Sequence, residues 1–116
     1  MAAPEAVIEI GSTGVRLLVA EFTSEGKRNI LDRSELPVSI GHDVFTNGII
    51  SKESINQCTK ILLRFKEQLV SWGISPVDTL VYATSSTRES KNRDPFVDRI
   101  FSTTGFKVKV IDGIEE

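Results

Sequence analysis

Three stretches of the chain carry residue types suited to handling a phosphate group. The first is Gly11-Ser12-Thr13-Gly14, set between two β-branched, apolar runs, Ala6–Ile10 and Val15–Phe22. Apolar arms meeting at so short a break predict a β-hairpin. Its glycines are expected to supply positive φ and to let a ligand approach the backbone. The amides of such a turn can grip an anion, and Ser12 and Thr13 add hydroxyls. Glu9 is a charge in an otherwise apolar strand, costly unless paired, hydrated or bound to a cation. An ordinary hairpin with Glu9 facing solvent fits the same residues.

The second stretch is Ser85-Ser-Thr-Arg-Glu-Ser-Lys-Asn-Arg93, which follows the buried apolar run Val77–Thr84. A strand that empties into a hydroxyl-rich loop carrying arginine is where an α/β sheet binds its ligand, beyond the strands' carboxyl ends. Arg88 offers a planar fork that matches phosphate oxygens. Arg93 and Lys91 either extend the positive field or are solvated helix-end charges. The third stretch, Asp112-Gly-Ile-Glu115-Glu116, is by itself only an acidic terminus. His42 beside Asp43 has no nucleophile nearby in sequence and reads as a loop hydrogen bond.

The elements that position these residues follow from periodicity. Val15 to Phe22 is apolar on nearly both faces, as expected of a central strand in a covered sheet. Thr23-Ser-Glu-Gly26 turns the chain, and Lys27 to Ser34 returns as a third, more polar strand, completing a meander. Glu35 to Ile50 mixes turn formers with apolar residues and predicts a packed loop with a short helical turn near Asp43. Ser51 caps a helix whose apolar positions (Ile55, Cys58, Ile61, Leu62, Phe65, Leu69, Trp72) recur at three- and four-residue spacing until Gly73 ends it. Val77 to Thr84 is a strand, Asp94-Pro95 opens a second helix, Gly105 closes it, and Phe106 to Ile111 is the last strand. The order β-β-β-α-β-α-β, with right-handed crossovers, aligns the last two strands in parallel. It predicts an α/β fold: a three-strand antiparallel meander followed by α-β-α-β in a mixed sheet. This is the ribonuclease H-like half of the actin-like ATPase architecture.

Composition narrows the class. The 116 residues are expected to form one domain, 1–116. A net charge of -2 argues against a nucleic-acid polymer as partner. The single cysteine, Cys58, cannot form an internal disulfide and suits a reducing compartment, so a cytoplasmic location is expected. Its helical core spacing marks it as a small buried hydrophobe. The start, Met1 to Ala6, lacks a basic region, and Glu9, Gly11 and Arg16 interrupt the first apolar run. Neither a signal peptide nor a membrane span is expected.

Four motifs in order carry a family resemblance over nearly the whole chain. Ile8-Glu-Ile-Gly-Ser-Thr-Gly-Val-Arg-Leu-Leu-Val19 resembles the opening "IDIGSNSxRLLV", and Gly41-His-Asp-Val-Phe-Thr-Asn-Gly-Ile-Ile-Ser51 the loop "GLGxDVxxTGxLSxE". Ala83-Thr-Ser-Ser-Thr-Arg-Glu-Ser-Lys-Asn-Arg-Asp-Pro-Phe96 is similar to "ATSAxREAxNRDxF", and Val110-Ile-Asp-Gly-Ile-Glu-Glu116 to "VISGxEEA". The chain resembles the amino-terminal half of the exopolyphosphatase and guanosine pentaphosphate phosphohydrolase (Ppx/GppA) family.

The resemblance implies hydrolysis of a terminal phosphoanhydride of inorganic polyphosphate or guanosine pentaphosphate, with a divalent cation, Mg2+ by preference. It implies a cleft between this domain and a second one, absent from this chain, that brings a glycine-rich phosphate loop. It assigns water activation to Glu116 and phosphate contact to Arg88, with Gly11, Ser12 and Thr13 facing the cleft. Glu9, Arg93 and Glu115 are candidates for supporting roles. Glu9 stands where the family has Asp, and its longer carboxylate moves the oxygens by about one methylene, enough to alter a catalytic distance. An unmatched inter-domain face would favour a homodimer. The competing expectation is a non-catalytic actin-like domain that binds a nucleotide or a protein partner.

Overall fold

A computed structural model of the chain describes residues 3–112. Alternation in the first apolar run sets the sheet. Strand β1 (Glu5–Ile10) buries Ala6, Ile8 and Ile10 on one face and leaves Val7 and Glu9 on the other. Strand β2 (Gly14–Phe22) runs back antiparallel with Ile8 opposite Leu17, so Val15, Leu17 and Val19 join the same buried face. Strand β3 (Arg28–Pro37) completes the meander, ending three residues beyond the predicted Ser34, with a register shift opposite Val19 and Ala20.

The segment expected to be a packed loop contains a helix, α1 (Ile40–Asn47). Gly48 ends it at φ 77°, donating its N–H to the Val44 carbonyl at 2.8 Å. Of the turn formers that suggested a loop, Pro37 precedes this helix and Gly48 follows it, while Gly41, His42, Asp43 and Asn47 lie within it. Helix α2 (Lys52–Ser71) starts at Ser51, whose hydroxyl accepts the Ser54 N–H at 3.1 Å. Gly73 donates to Val70 and Ile74 to Leu69, each at 3.0 Å, which closes the last turn in the glycine-dependent manner predicted.

A single 3-10 turn (Pro76–Asp78) leads into β4 (Thr79–Ala83). Most of the polar loop after β4 winds into helix α3 (Ser85–Glu89), followed by α4 (Arg93–Thr104) and β5 (Val108–Val110). The sheet order is β3-β2-β1-β4-β5, with β4 parallel to both β1 and β5. The antiparallel meander followed by parallel strands is the mixed sheet that the element order required. Helices α2 and α4 pack on one face, where Cys58, Leu62, Phe65, Phe96 and Ile100 are fully buried against the sheet. Burial pushes the Cys58 thiol up to about 12, in keeping with a core hydrophobe.

The covered-sheet expectation needs correction. Among the described residues the opposite face carries no helix, and Leu80 there is 54% exposed. Leu18 made β2 look apolar on both sides, but it sits half-buried between Val7 and Arg33. No helix among the described residues is long and apolar enough to cross a membrane.

Trp72 reaches across to β3, donating Nε1–H to Asp32 Oδ2 at 3.1 Å beside Gln68 Nε2 at 3.0 Å. These two donors hold the Asp32 carboxyl below its ordinary pKa. A folded-state value below the unfolded one means that this contribution is complete above about pH 4 and is lost as pH falls through the folded-state value. Trp72 is the chain's only tryptophan. Its emission should therefore change with acid before global unfolding, and Asp32→Ala should abolish that step while costing about 1 kcal/mol in chemical denaturation.

Candidate functional site

Because β1, β4 and β5 run parallel, their carboxyl ends share one edge of the sheet. The Thr84 N–H donates to the Ile10 carbonyl at 3.2 Å and the Ile111 N–H to the Ala83 carbonyl at 3.0 Å. The Gly11–Gly14 turn, the start of α3 and the Ile111–Asp112 segment therefore lie side by side. The structure thus brings Gly11, Ser12, Thr13 and Arg88 to a common edge.

The turn is closed by Gly11 N–H to Gly14 C=O at 2.9 Å. Contrary to expectation, neither glycine has positive φ. Gly14 is needed for space: a Cβ there would lie 2.8 Å from the Leu36 carbonyl oxygen. The turn is also held from outside. Gly41 N–H donates to Ser12 C=O at 2.7 Å, Val38 N–H to Thr13 C=O at 3.2 Å, and the Ser12 and Ser86 hydroxyls share a hydrogen bond of 2.5 Å.

Arg88 is half-buried on α3, and its Nη1 donates to the Ile111 carbonyl at 2.6 Å. That contact ties the guanidinium to the segment leading toward Glu115 and Glu116. Both glutamates lie outside the described residues, and the last one described is Asp112. Arg93 opens α4 paired with its neighbour Asp94 at 3.6 Å, lining a hollow with Val97 and Val110 by β5. Among the described residues no hydrogen bond or ion pair joins Arg93 to the turn.

Glu9 is paired, not merely hydrated. Its Oε1 accepts from Arg16 Nη2 at 3.0 Å, its Oε2 accepts from the Tyr82 hydroxyl at 2.8 Å, and Arg16 Nε lies 3.5 Å from Glu35 Oε2. These residues are direct cross-strand neighbours, so a polar ladder crosses β4, β1, β2 and β3 on the uncovered face. No group of three or more His, Cys, Asp or Glu side chains able to hold a metal occurs among the described residues. Glu9 is committed to Arg16 and Tyr82, and Glu115 and Glu116 lie outside the described residues.

Sequence reasoning passed over Ser86, Gly41 and Tyr82 as site residues and weighed Asp43 only beside His42. Asp43 Oδ2 accepts from the Ser51 N–H at 3.0 Å and its hydroxyl at 2.7 Å, fixing the junction of α1 and α2. Burial acts to raise the Asp43 pKa, but hydrogen bonds from Ser54 and Ser51 outweigh it and hold the carboxyl below its ordinary value. The adjacent His42 is exposed on α1. Asn92 brackets Ile50, accepting its N–H and donating to its carbonyl, each at 2.9 Å.

Tyr82 reports on the ladder. Desolvation, then the hydrogen bond to Glu9 and its charge, raise the phenol pKa, opposed in part by Arg16. As the chain's only tyrosine, it should ionise above the usual value of about 10, and Glu9→Gln should lower that midpoint without restoring it fully. A phenolate absorbance titration of the two proteins checks this. An unchanged midpoint would show that Glu9 does not hold Tyr82.

Known proteins share this fold. The Ppx/GppA phosphatase family matches residues 18–116. The chain is 32% identical to the bifunctional 3-dehydroquinate synthase/phosphatase of Fusobacterium nucleatum, over 96% of its own length and 17% of that protein's. It is 26% identical to exopolyphosphatase 1 of Mycobacterium leprae, over 95% of its length and 32% of the relative's. The crystal structure of the Aquifex aeolicus Ppx/GppA family member superposes with a TM-score of 0.91 at 26% identity, covering 99% of this chain and 37% of that one. The chain thus spans well under half the length of each of these relatives. By the family match, the fold and the site edge together, it belongs to the Ppx/GppA phosphatase family.

Proposed function

We propose that this chain forms the amino-terminal lobe of a phosphoanhydride hydrolase. Its substrate in this reading is inorganic polyphosphate or guanosine pentaphosphate, from which it releases the terminal phosphate. The observation that carries the reading is the meeting of the Gly11–Gly14 turn and Arg88 at the carboxyl edge of three parallel strands. A dense polyanion needs amide and guanidinium donors there, because phosphoryl transfer is helped mainly by positioning and charge stabilisation. Relatives that cover two to three times this length and are named exopolyphosphatases support it.

In this reading the turn amides and Arg88 hold the terminal phosphoryl group. The Glu116 carboxylate takes a proton from a water whose oxygen attacks the terminal phosphorus. The bridging P–O bond breaks as the new one forms, and the shortened chain leaves with the bridging oxygen. A divalent cation accompanies the substrate and neutralises its charge. A second domain of the same polypeptide supplies the opposite wall of the cleft. The buried lone thiol of Cys58 suits a cytoplasmic setting.

The 116-residue chain should bind tripolyphosphate yet release phosphate from polyphosphate at a negligible rate, since one wall cannot surround the transferred group. Arg88→Ala should weaken that binding about tenfold or more, and Arg88→Lys should restore only part of it, because an ammonium cannot make the bidentate contact. Isothermal titration and a phosphate-release assay measure both. Unchanged binding in Arg88→Ala removes the phosphate role from this residue. Release at the rate of full-length relatives overturns the two-domain reading.

In the complete two-domain protein, Glu116→Gln should leave substrate binding intact and lower turnover by about 10²–10⁴-fold, the range of a positioned general base. Glu115→Gln should be milder, because this reading gives water activation to Glu116 alone. If steady-state rates show the reverse order, the base is Glu115.

A further inference from the structure

We propose that Gly41 and Ser86 are positioning residues that aim the Gly11–Gly14 turn at its anion. This rests on the phosphate reading above and extends it to residues that do not touch the ligand.

In a trans peptide the carbonyl and the following N–H point in opposite directions, and none of the described peptide bonds is cis. Pinning a carbonyl therefore aims the next amide. The Ser12 carbonyl is pinned by Gly41 N–H, so the Thr13 N–H is turned away from α1. Among the described residues the Thr13 N–H makes no hydrogen bond, and Thr13 itself is exposed. The amide best placed to meet an incoming anion thus owes its direction to position 41.

Position 41 has no spare room. A Cβ there would lie 2.8 Å from Ser12 Cβ, 3.1 Å from Ser12 O and 3.3 Å from Ser86 Oγ. Gly41 is not at positive φ, so space is the reason for glycine. Any larger residue must push the turn, Ser86 or α1 aside. Ser86 holds the same point from the α3 side through the Ser12 hydroxyl, two residues before Arg88 on one short helix. A shift at Ser12 therefore alters the spacing between the turn amide and the guanidinium, the two donors a single phosphoryl group would share.

The test uses the 116-residue chain in four forms: wild type, Gly41→Ala, Ser86→Ala and Ser86→Thr. Amide hydrogen exchange at Gly11 and Gly41 reads the turn, and titration with tripolyphosphate reads the site. Gly41→Ala and Ser86→Ala should speed exchange at both amides and weaken tripolyphosphate by about tenfold, the scale of one lost hydrogen bond with its geometry. Ser86→Thr keeps the hydroxyl and should stay near wild type in both readouts, which a role in packing alone would not predict. If Gly41→Ala does not fold, the two Ser86 variants decide. Wild-type exchange and affinity in the Ala variants would overturn the proposal while leaving the phosphate reading standing. A wild-type chain that does not bind tripolyphosphate would overturn the phosphate reading, and the positioning role with it.

Discussion

Between the first hairpin and helix α1 two backbones approach so closely that position 41 admits no β-carbon, and much of the molecule is arranged around that approach. For Gly41 to reach Ser12, the chain leaving β3 at Pro37 must turn at once into α1. Asp43 on that helix then binds Ser51 and sets where α2 begins. Gly48, at the end of α1, accepts the Lys91 N–H at 2.9 Å, and Asn92 grips Ile50 two residues on. The segments before α2 and before α4 are thereby clasped to each other beside the turn. The site edge is built from backbone contacts between parts far apart in sequence.

The two faces of the sheet do different work. One buries its apolar residues under α2 and α4 and supplies most of the core. The other carries the ladder Tyr82–Glu9–Arg16–Glu35, in which Arg16 is 61% exposed. Exposed ion pairs of this kind add little stability, typically no more than about 1 kcal/mol each. Their effect here is local: they occupy the Glu9 carboxylate one residue before Ile10 and the turn. A longer acid at that position has found partners on its own sheet instead of reaching toward the site edge.

Much of the fold was legible because its signals are local. The strand alternation in β1 and β2, the Ser51 cap, the Gly73 and Gly105 stops and the apolar stripe of α2 each depend on residues within a few positions of one another. The helix α1 was harder. Eight residues holding Gly41 and few apolar neighbours give a weak periodic signal, and its stability comes from contacts with Ser12 and Ser51 that no window contains. The uncovered face was misread because Leu18 looks like a core residue when its cross-strand neighbour Arg33 is out of view. At the site, the residue types were visible in the sequence: hydroxyls, glycines and Arg88 stand in recognisable runs. The hydrogen bond between Ser12 and Ser86, 74 positions apart, was not. Nor was the reason for glycine at 14 and 41, which is clearance from a neighbouring strand and turn and not backbone freedom.

The outer strands of the sheet carry one more consequence. An open sheet exposes unpaired backbone groups at both margins, where a strand from another molecule can add on. Here one margin is β5, three residues long, flanked and interrupted by Lys107 and Lys109 and bordered by Arg93 and Asp98. The other is β3, which carries Arg28, Asp32, Arg33 and Glu35, bends at its register shift and ends in Pro37. Neither margin presents the long, flat, apolar edge that seeds cross-strand aggregation. The same charges that made β3 read as the most polar strand of the meander keep a half-covered sheet from growing at its ends.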